Sequence, residues 1–378
     1  MKKFLTAFII FIAILVFMCG CAGDTIETSA PVQEQPKYID LVACGDNLYH
    51  MPVINSGKKQ DGTYDYSPIY EKLQPMIKNA DISVIGQETV FAGSELGYSG
   101  YPLFNSPEDV GNTLAKEGFD VVLHASNHVL DKWDTGVVRT IEFWKKYPDI
   151  AVLGIHESPE DDERVYVTRI NGANIAMLNY TYSTNGLPLP KDKPYLVELI
   201  DEDKIYKDAL YAEENSDFTI AFIHWGTEYA TSPNQMQKDL TYKMADWGVD
   251  LIIGSHPHVI QPVEYITTEK GNEILVYYSL GNFVSRQLEA KNLLGGIAKV
   301  KLMFYDNKVS INKHSFMPIV THYNTSYNSF AVYPLKEYTN DIAAGHGVSY
   351  HDGVVTKERF DNMVNAIFEG YDKSIIDN

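Results

Sequence analysis

Two imidazoles separated by one proline, His256-Pro257-His258, are the residues of this chain best suited to hold metal ions. They follow the apolar run Asp250-Leu251-Ile252-Ile253 and a Gly254-Ser255 turn, where a strand gives way to a loop. With proline stiffening the turn between them, each imidazole can reach one ion of a pair. Four other stretches repeat the plan of a small or turn-forming residue beside an oxygen or imidazole donor, straight after an apolar run: Gly45-Asp46, Gln87-Glu88, Asn127-His128 and His224-Trp225-Gly226. Asp46 and Glu88 are hard anionic donors, and a second carboxylate allows a bridge between two divalent cations about 3.5–4 Å apart. Asn127 offers a carbonyl oxygen. His128 can donate a hydrogen bond or a proton to a phosphoryl oxygen, and Asp131, three residues on, can orient it. His224 ends a strongly apolar strand. Each has a plainer reading when taken alone: an aspartate after glycine is a common turn residue, and a histidine ending such a strand is commonly a core residue. Their shared placement points to chemistry, because open α/β sheets bind ligands on loops at the carboxyl ends of their strands.

The elements that must position these residues alternate. Strands are predicted at residues 39–43, 82–85, 121–123, 151–155, 219–223 and 250–253, with helices between. Ser67-Pro68 reads as a cap with proline at the first helical position, and Ile69, Leu73 and Ile77 give that helix one apolar face. Ser106-Pro107-Glu108-Asp109 opens another helix, which Gly118 closes. Asn171-Gly172 between two strand-like runs is a hairpin signal. Helices are predicted near 136–146, 204–212, 235–247 and 357–371. From Val263 the chain becomes rich in strands, with turns at Lys270-Gly271-Asn272 and Asp306-Asn307. The mixture predicts an α/β layered sandwich, two packed mixed β-sheets flanked by helices.

The chain has 378 residues, 45% of them hydrophobic, enough for one large domain or two ordinary ones. Its formal charge is −19, and without a basic cluster to offset 50 acids it is not expected to bind nucleic acid. Lys2 and Lys3 precede the uncharged stretch from Phe4 to Met18, short for a spanning helix and laid out like a secretory signal. It ends in Met18-Cys19-Gly20-Cys21, which resembles a bacterial lipobox with Cys21 as the lipidated residue; a retained membrane anchor is the other reading. Both place the remainder outside the cytoplasm. Removing residues 1–20 removes two lysines and no acid, which takes the formal charge from −19 to −21. Cys44 then stands alone, which excludes a disulfide and a thiolate zinc cluster. The expected organisation is a signal peptide at 1–20, a flexible tether at 21–37, a domain at 38–324 and a partly helical extension at 325–378.

In order, the donors run Asp, carboxylate, Asn-His, His, His-x-His, which resembles the calcineurin-like metallophosphoesterase superfamily. The fuller phrases are similar to the CapA family of capsule-synthesis proteins, tied to poly-γ-glutamate production. They are Gln87-Glu88-Thr89, Ala125-Ser126-Asn127-His128-Val129-Leu130-Asp131, His224-Trp225-Gly226-Thr227-Glu228, Gly254-Ser255-His256-Pro257-His258-Val259-Ile260-Gln261 and Tyr278-Ser279-Leu280-Gly281-Asn282-Phe283. The resemblance implies a metallophosphoesterase-like fold and two divalent metal ions, Mn, Fe or Zn, held by Asp46, Glu88, Asn127, His224, His256 and His258. His128 would face substrate with Asp131 behind it, and Glu228, Gln261, Glu264 and Asn282 would be second-layer or substrate-binding groups. The chain departs from the superfamily where Leu48 stands in place of the histidine of an Asp-x-His opening; His50 is the candidate substitute. Glu88 replaces the usual bridging aspartate, and Ser126 the first residue of Asn-Asn-His. His124 reads as structural.

Three functions follow from the resemblance. The first is an exported, lipid-anchored protein of capsule or poly-γ-glutamate synthesis with a phosphoesterase-like site, partnered by the membrane, by an anionic polymer or phosphoester, and by membrane polymer-synthesis subunits. The second is a non-catalytic, metal-dependent polymer-binding scaffold. The third is a general extracellular phosphoesterase for nucleotides or sugar phosphates.

Overall fold

A computed structural model describes residues 35–377. The expected signal peptide, Cys21 and residues 21–34 of the tether lie outside the described residues. The chain opens its first sheet with β1 (Lys37–Asn47), β2 (Ile82–Gln87), β3 (Val121–Leu123) and β4 (Ala151–Leu153). It builds a second sheet from β5 (Tyr166–Ile170), β6 (Ala173–Thr181), β7 (Phe218–His224), β8 (Leu251–Ser255), β9 (Val263–Thr267) and β10 (Glu273–Tyr277). It then returns to the first with β11 (Asn282–Val284), β12 (Leu294–Tyr305), β13 (Lys308–Tyr323) and β14 (Phe330–Pro334). The first sheet runs β14-β13-β12-β1-β2-β3-β4, with β11 beside β1; the second runs β5-β6-β7-β8-β10-β9. Both are mixed. β1 to β4 are parallel, as are β6, β7, β8 and β10, while β12 to β14, β5 and β9 are antiparallel to their neighbours.

The sequence of β7, Phe-Thr-Ile-Ala-Phe-Ile-His, is apolar on both faces, and both faces are buried. Ile220 and Phe222 join a core shared with Val84 and Ile85 of the first sheet. Ala221 and Ile223 join a second core, closed by helices Glu202–Asn215 and Gln235–Asp246 through Ile205, Ala209, Leu240 and Met244. Each such aliphatic side chain contributes about 1.5–3 kcal/mol on burial. The predicted two-sheet sandwich flanked by helices is therefore the observed architecture. The segment after Asn324 adds β14 to the edge of the first sheet, and its helix Lys357–Ile367 buries Phe360 and Val364 in the core of that sheet.

Local chemistry accounts for most boundaries. Asn171 and Gly172 adopt φ of 51° and 99°, and Asp306 and Asn307 adopt 53° and 56°, the two-residue left-handed turns that suit twisted hairpins. Gly118, at φ 91°, ends helix Asp109–Glu117 and donates its N–H to the carbonyls of Leu114 and Ala115. One prediction needs correction. The helix expected to carry Ile69, Leu73 and Ile77 is two short pieces, Ser67–Tyr70 and Gln74–Asn79. Pro75 lacks the N–H that would bond back to residue 71, so the helix cannot run through it. At the entry to the first piece the Ser67 N–H donates to the Asp65 carboxylate, and the Ser67 hydroxyl does not cap it. All three apolar residues are nonetheless buried. Cys44 is buried and unpaired. Among the described residues no helix is long and apolar enough to cross a membrane.

Gly45 precedes the first candidate ligand and lies against the returning chain, where a Cβ would overlap the Gly281 carbonyl oxygen. Gly45→Ala should therefore lower stability by about 1–3 kcal/mol, read as a reduced urea midpoint at unchanged m-value. An unchanged midpoint would show that the β1–β11 contact yields without cost.

Candidate metal centre

The parallel strands of both sheets end at one rim, and the donors lie on the turns just beyond. Asp46 is the penultimate residue of β1 and Glu88 follows β2; Asn127 and His128 follow β3, His224 ends β7, and His256 and His258 follow β8. The two sheets are tied together there: the His256 N–H donates to Asp46 Oδ2 over 3.0 Å. His224 Nδ1 lies 3.6 Å from Asp46 Oδ1, and His258 Nδ1 lies 3.5 Å from Asp46 Oδ2. Glu88 Oε1 is 3.7 Å from His258 Nε2 and 3.9 Å from His224 Nε2. His224 Nε2 donates to Asn127 Oδ1 over 2.9 Å. The six residues expected to hold metal thus form one cluster, and all are buried.

Two adjacent triads have donor atoms within 4.8 Å of one another: Asp46, Glu88 and His258, and Glu228, His256 and His258. Glu228 is exposed, so the second triad faces solvent and the first does not. Burial raises the Glu88 carboxyl well above its usual range, and Asp46 beside it adds to the shift. Burial opposes charge on His258, but the Glu88 and Asp46 carboxylates outweigh it and hold that imidazole up. His224 and His256 are pushed down by burial and by their neighbouring imidazoles, which favours the neutral form that ligates metals. Asn282 Oδ1 accepts from His258 Nδ1 at 3.0 Å, which leaves Nε2 for a ligand; Ser255 Oγ bonds His224 Nδ1 at 3.0 Å. The backbone is strained here. His256 and His258 have φ of 96° and 56°, a region non-glycine residues enter at a cost of about 1–3 kcal/mol and mostly at functional sites.

His128 stands beside the cluster. Its Nδ1 donates to Asp131 Oδ2 at 2.7 Å, and the same oxygen accepts the Phe104 N–H at 2.6 Å. Burial works against charge on His128, but that hydrogen bond and the Glu88 carboxylate raise its pKa. The Phe104 ring packs edge-on against it at 4.7 Å between centroids.

Other expected residues sit elsewhere. Gln261 is a scaffold: its amide donates to the carbonyls of Ala230 and Ser232 and accepts from Gln237, which holds the loop after β7. Glu264 is on β9 beside Tyr278, because that strand is the sheet's far edge, and it touches none of the cluster. His50 Nδ1 accepts the Arg286 N–H at 3.3 Å, so the neutral ring carries its hydrogen on Nε2 and is a donor rather than a ligand. His124 accepts from Trp144 Nε1 at 2.8 Å inside the core. Sequence reasoning gave no role to Ser255, to Asn185, which accepts from Asn127 Nδ2 at 3.2 Å, or to Tyr182, whose ring lies 4.5 Å from that of His256. Ser255 lies inside a quoted phrase and Asn185-Gly186 is a turn pair; Tyr182 carries no local signal. A separate group, His156, Asp162 and Glu198, also has metal-like spacing, but the Lys204 ammonium sits 3.0 Å from Glu198 and supplies the positive charge there.

Comparisons with known proteins identify the family. The family described as "Bacterial capsule synthesis protein PGA_cap" matches residues 40–287. "PGA biosynthesis protein CapA" of Bacillus subtilis (strain 168) is 34% identical over 176 residues, 46% of this chain and 44% of that protein. "Capsule biosynthesis protein CapA" of Bacillus anthracis is 27% identical over 271 residues, 69% of this chain and 63% of that protein. The chain therefore spans less than two thirds of either relative. Among solved structures, the calcineurin-like phosphoesterase YfkN from Bacillus subtilis aligns at a TM-score of 0.41 and 12% identity, covering 89% of this chain and 98% of that one. A hypothetical protein from Thermus thermophilus aligns at 0.42 and 11% identity, covering 74% and 98%. With its donor phrases inside the matched span, the chain belongs to the PGA_cap family of bacterial capsule synthesis proteins.

Proposed function

We propose that this protein is exported, lipid-anchored at Cys21, and acts in capsule or poly-γ-glutamate synthesis through a divalent-metal, phosphoesterase-like site. One observation carries the metal assignment. Both carboxylate oxygens of Glu88 are shielded from solvent without a hydrogen-bond partner, between Asp46 and His258. A buried carboxylate without hydrogen bonds, beside a second carboxylate and with one imidazole 3.7 Å away, is costly unless a cation completes it. The mixed oxygen and imidazole donor set suits Mn, Fe or Zn. Asp46, Glu88 and His258 would hold one ion, and Glu228, His256 and His258 would flank another; Asn127 and His224, hydrogen-bonded to each other, would join as ligands only by giving up that bond. When bound, such ions supply Lewis-acid polarisation of a phosphoryl oxygen.

The chain's own groups supply the rest. Asp131, fixed by the Phe104 N–H, holds His128 in one orientation; His128 then gives a proton from Nε2 to the leaving oxygen. Anionic polymer or phosphoester is the substrate class, and membrane subunits of polymer synthesis are the partners this reading implies.

A second reading, a polymer-binding scaffold without turnover, is favoured by Leu48. It is buried at the place of an expected ligand and donates its backbone N–H to Val284. Bis-p-nitrophenyl phosphate turnover by the purified protein with Mn²⁺ or Zn²⁺ separates the two. The catalytic reading expects turnover that chelation abolishes. Near-stoichiometric metal without turnover would contradict it and leave the scaffold.

A further inference from the structure

A cleft of about 400 Å³ opens beside the cluster, and its walls include His50, Phe104, His128, Tyr229 and Arg286. His128 therefore links the candidate reaction site to a larger cavity. The rim is aromatic and open: Tyr101 is 76% and Tyr229 44% exposed. Arg286 supplies the cation. Arg139, Arg164 and Arg359 each pair with a carboxylate, in a chain with 50 acids. Among the described residues Arg286 forms no such pair, and neither does Arg169, which is exposed on β5 away from the cleft. It lies over the Tyr327 ring at 4.6 Å, its Nη2 is 3.5 Å from His351 Nε2, and its Nε is shielded from solvent with no acceptor. A sheltered guanidinium donor without a partner is unfavourable unless an acceptor reaches it.

The wall beside it is organised to match. The Arg286 backbone N–H donates to His50 Nδ1, so the neutral His50 ring has an Nε2 hydrogen to donate. Gln287 accepts from Asn282 Nδ2 at 2.8 Å and reaches the Tyr229 hydroxyl at 3.4 Å. Asn282 in turn holds His258, so the cleft wall is coupled to the metal-facing imidazole.

We propose that this cleft binds a negatively charged flank of the substrate beyond the reacting group, and that Arg286 is the residue that reads it. This rests on the cluster being the reacting site. The shared chemistry is an oxyanion on a short carbon chain. The planar guanidinium fork fits a carboxylate, and the aromatic rim covers the carbons between. Glu289 in the same wall is paired with Lys291 at 3.1 Å, so one guanidinium is left to meet the ligand, which favours a singly charged carboxylate over a doubly charged phosphate.

The test is fluorescence anisotropy with labelled γ-linked triglutamate and its neutral triamide, on the full chain, with Mn²⁺ and with EDTA. The acid should bind more tightly than the triamide. Arg286→Ala should weaken the acid roughly tenfold or more and leave the triamide unchanged. Arg286→Lys should recover part of the loss, and its melting curve reports folding. Glutarate should compete at lower concentration than inorganic phosphate. Equal binding of acid and triamide, no acid binding, an Arg286→Ala variant that folds and binds like the parent, or phosphate competing better than glutarate would each overturn the proposal. Arg286-dependent binding in a protein that takes up no Mn²⁺ would uphold the cleft and refute the metal reading. Metal uptake with turnover but no Arg286 effect would do the reverse.

Discussion

Glu88→Gln is expected to make the metal-depleted protein more stable while abolishing tight metal binding. The side chain is buried, both oxygens lack hydrogen-bond partners, and burial, offset only in part by His258 and reinforced by Asp46, disfavours its charge. Glutamine keeps the shape and removes the charge. His258 loses one carboxylate neighbour but keeps Asp46 at 3.5 Å. Relief of a buried carboxylate whose oxygens make no hydrogen bond is worth about 1–3 kcal/mol, which at roughly 2–4 °C per kcal/mol gives a Tm rise of a few degrees. The parent should gain further stability when metal is added, because a ligand that binds only the folded state stabilises it. The variant should not. The pair of scans is diagnostic: a residue that destabilises the fold yet is needed for binding belongs to a site, not to the core. A variant that melts lower after chelation, or that still gains from Mn²⁺ as the parent does, would refute the role of Glu88.

The second large effect is on turnover. His128→Ala should lower kcat by about 10²–10⁴-fold with metal content unchanged. His128 lies outside both triads, and its Nδ1 is already committed to Asp131. Asp131→Asn should cost less. The asparagine oxygen can still accept one of the two N–H groups that share Asp131 Oδ2, so His128 is loosened rather than removed. Steady-state kinetics with metal analysis on the same samples checks both. Loss of metal together with activity in His128→Ala would make His128 a ligand, and an unchanged kcat would remove it from the chemistry.

The strand ends were legible in the sequence because apolar runs stopping at Gly45-Asp46, His224 and Gly254-Ser255 are local signals, and parallel strands must end on the same side. The turns at Asn171-Gly172 and Asp306-Asn307 were equally local, set by residues that tolerate φ above zero. What escaped depended on distance along the chain. Asn185 reaches Asn127 across 58 residues, and Ser255 meets His224 across 31; no periodicity relates such pairs. Gln261 and Glu264 stand near the His-Pro-His phrase in sequence, yet the chain turns away into β9 and puts one under a loop and the other at a sheet edge. The break at Pro75 is hidden in the apolar pattern, because the spacing of Ile69, Leu73 and Ile77 is helical even though the backbone between them is not.

The most direct test is anomalous diffraction from crystals of this protein soaked in Mn²⁺ or Zn²⁺, recorded at the metal edge. The account predicts density enclosed by Asp46, Glu88 and His258, with a second peak beside Glu228 and His256. Metal found only at His156, Asp162 and Glu198, or none at the rim where the two sheets meet, would contradict it.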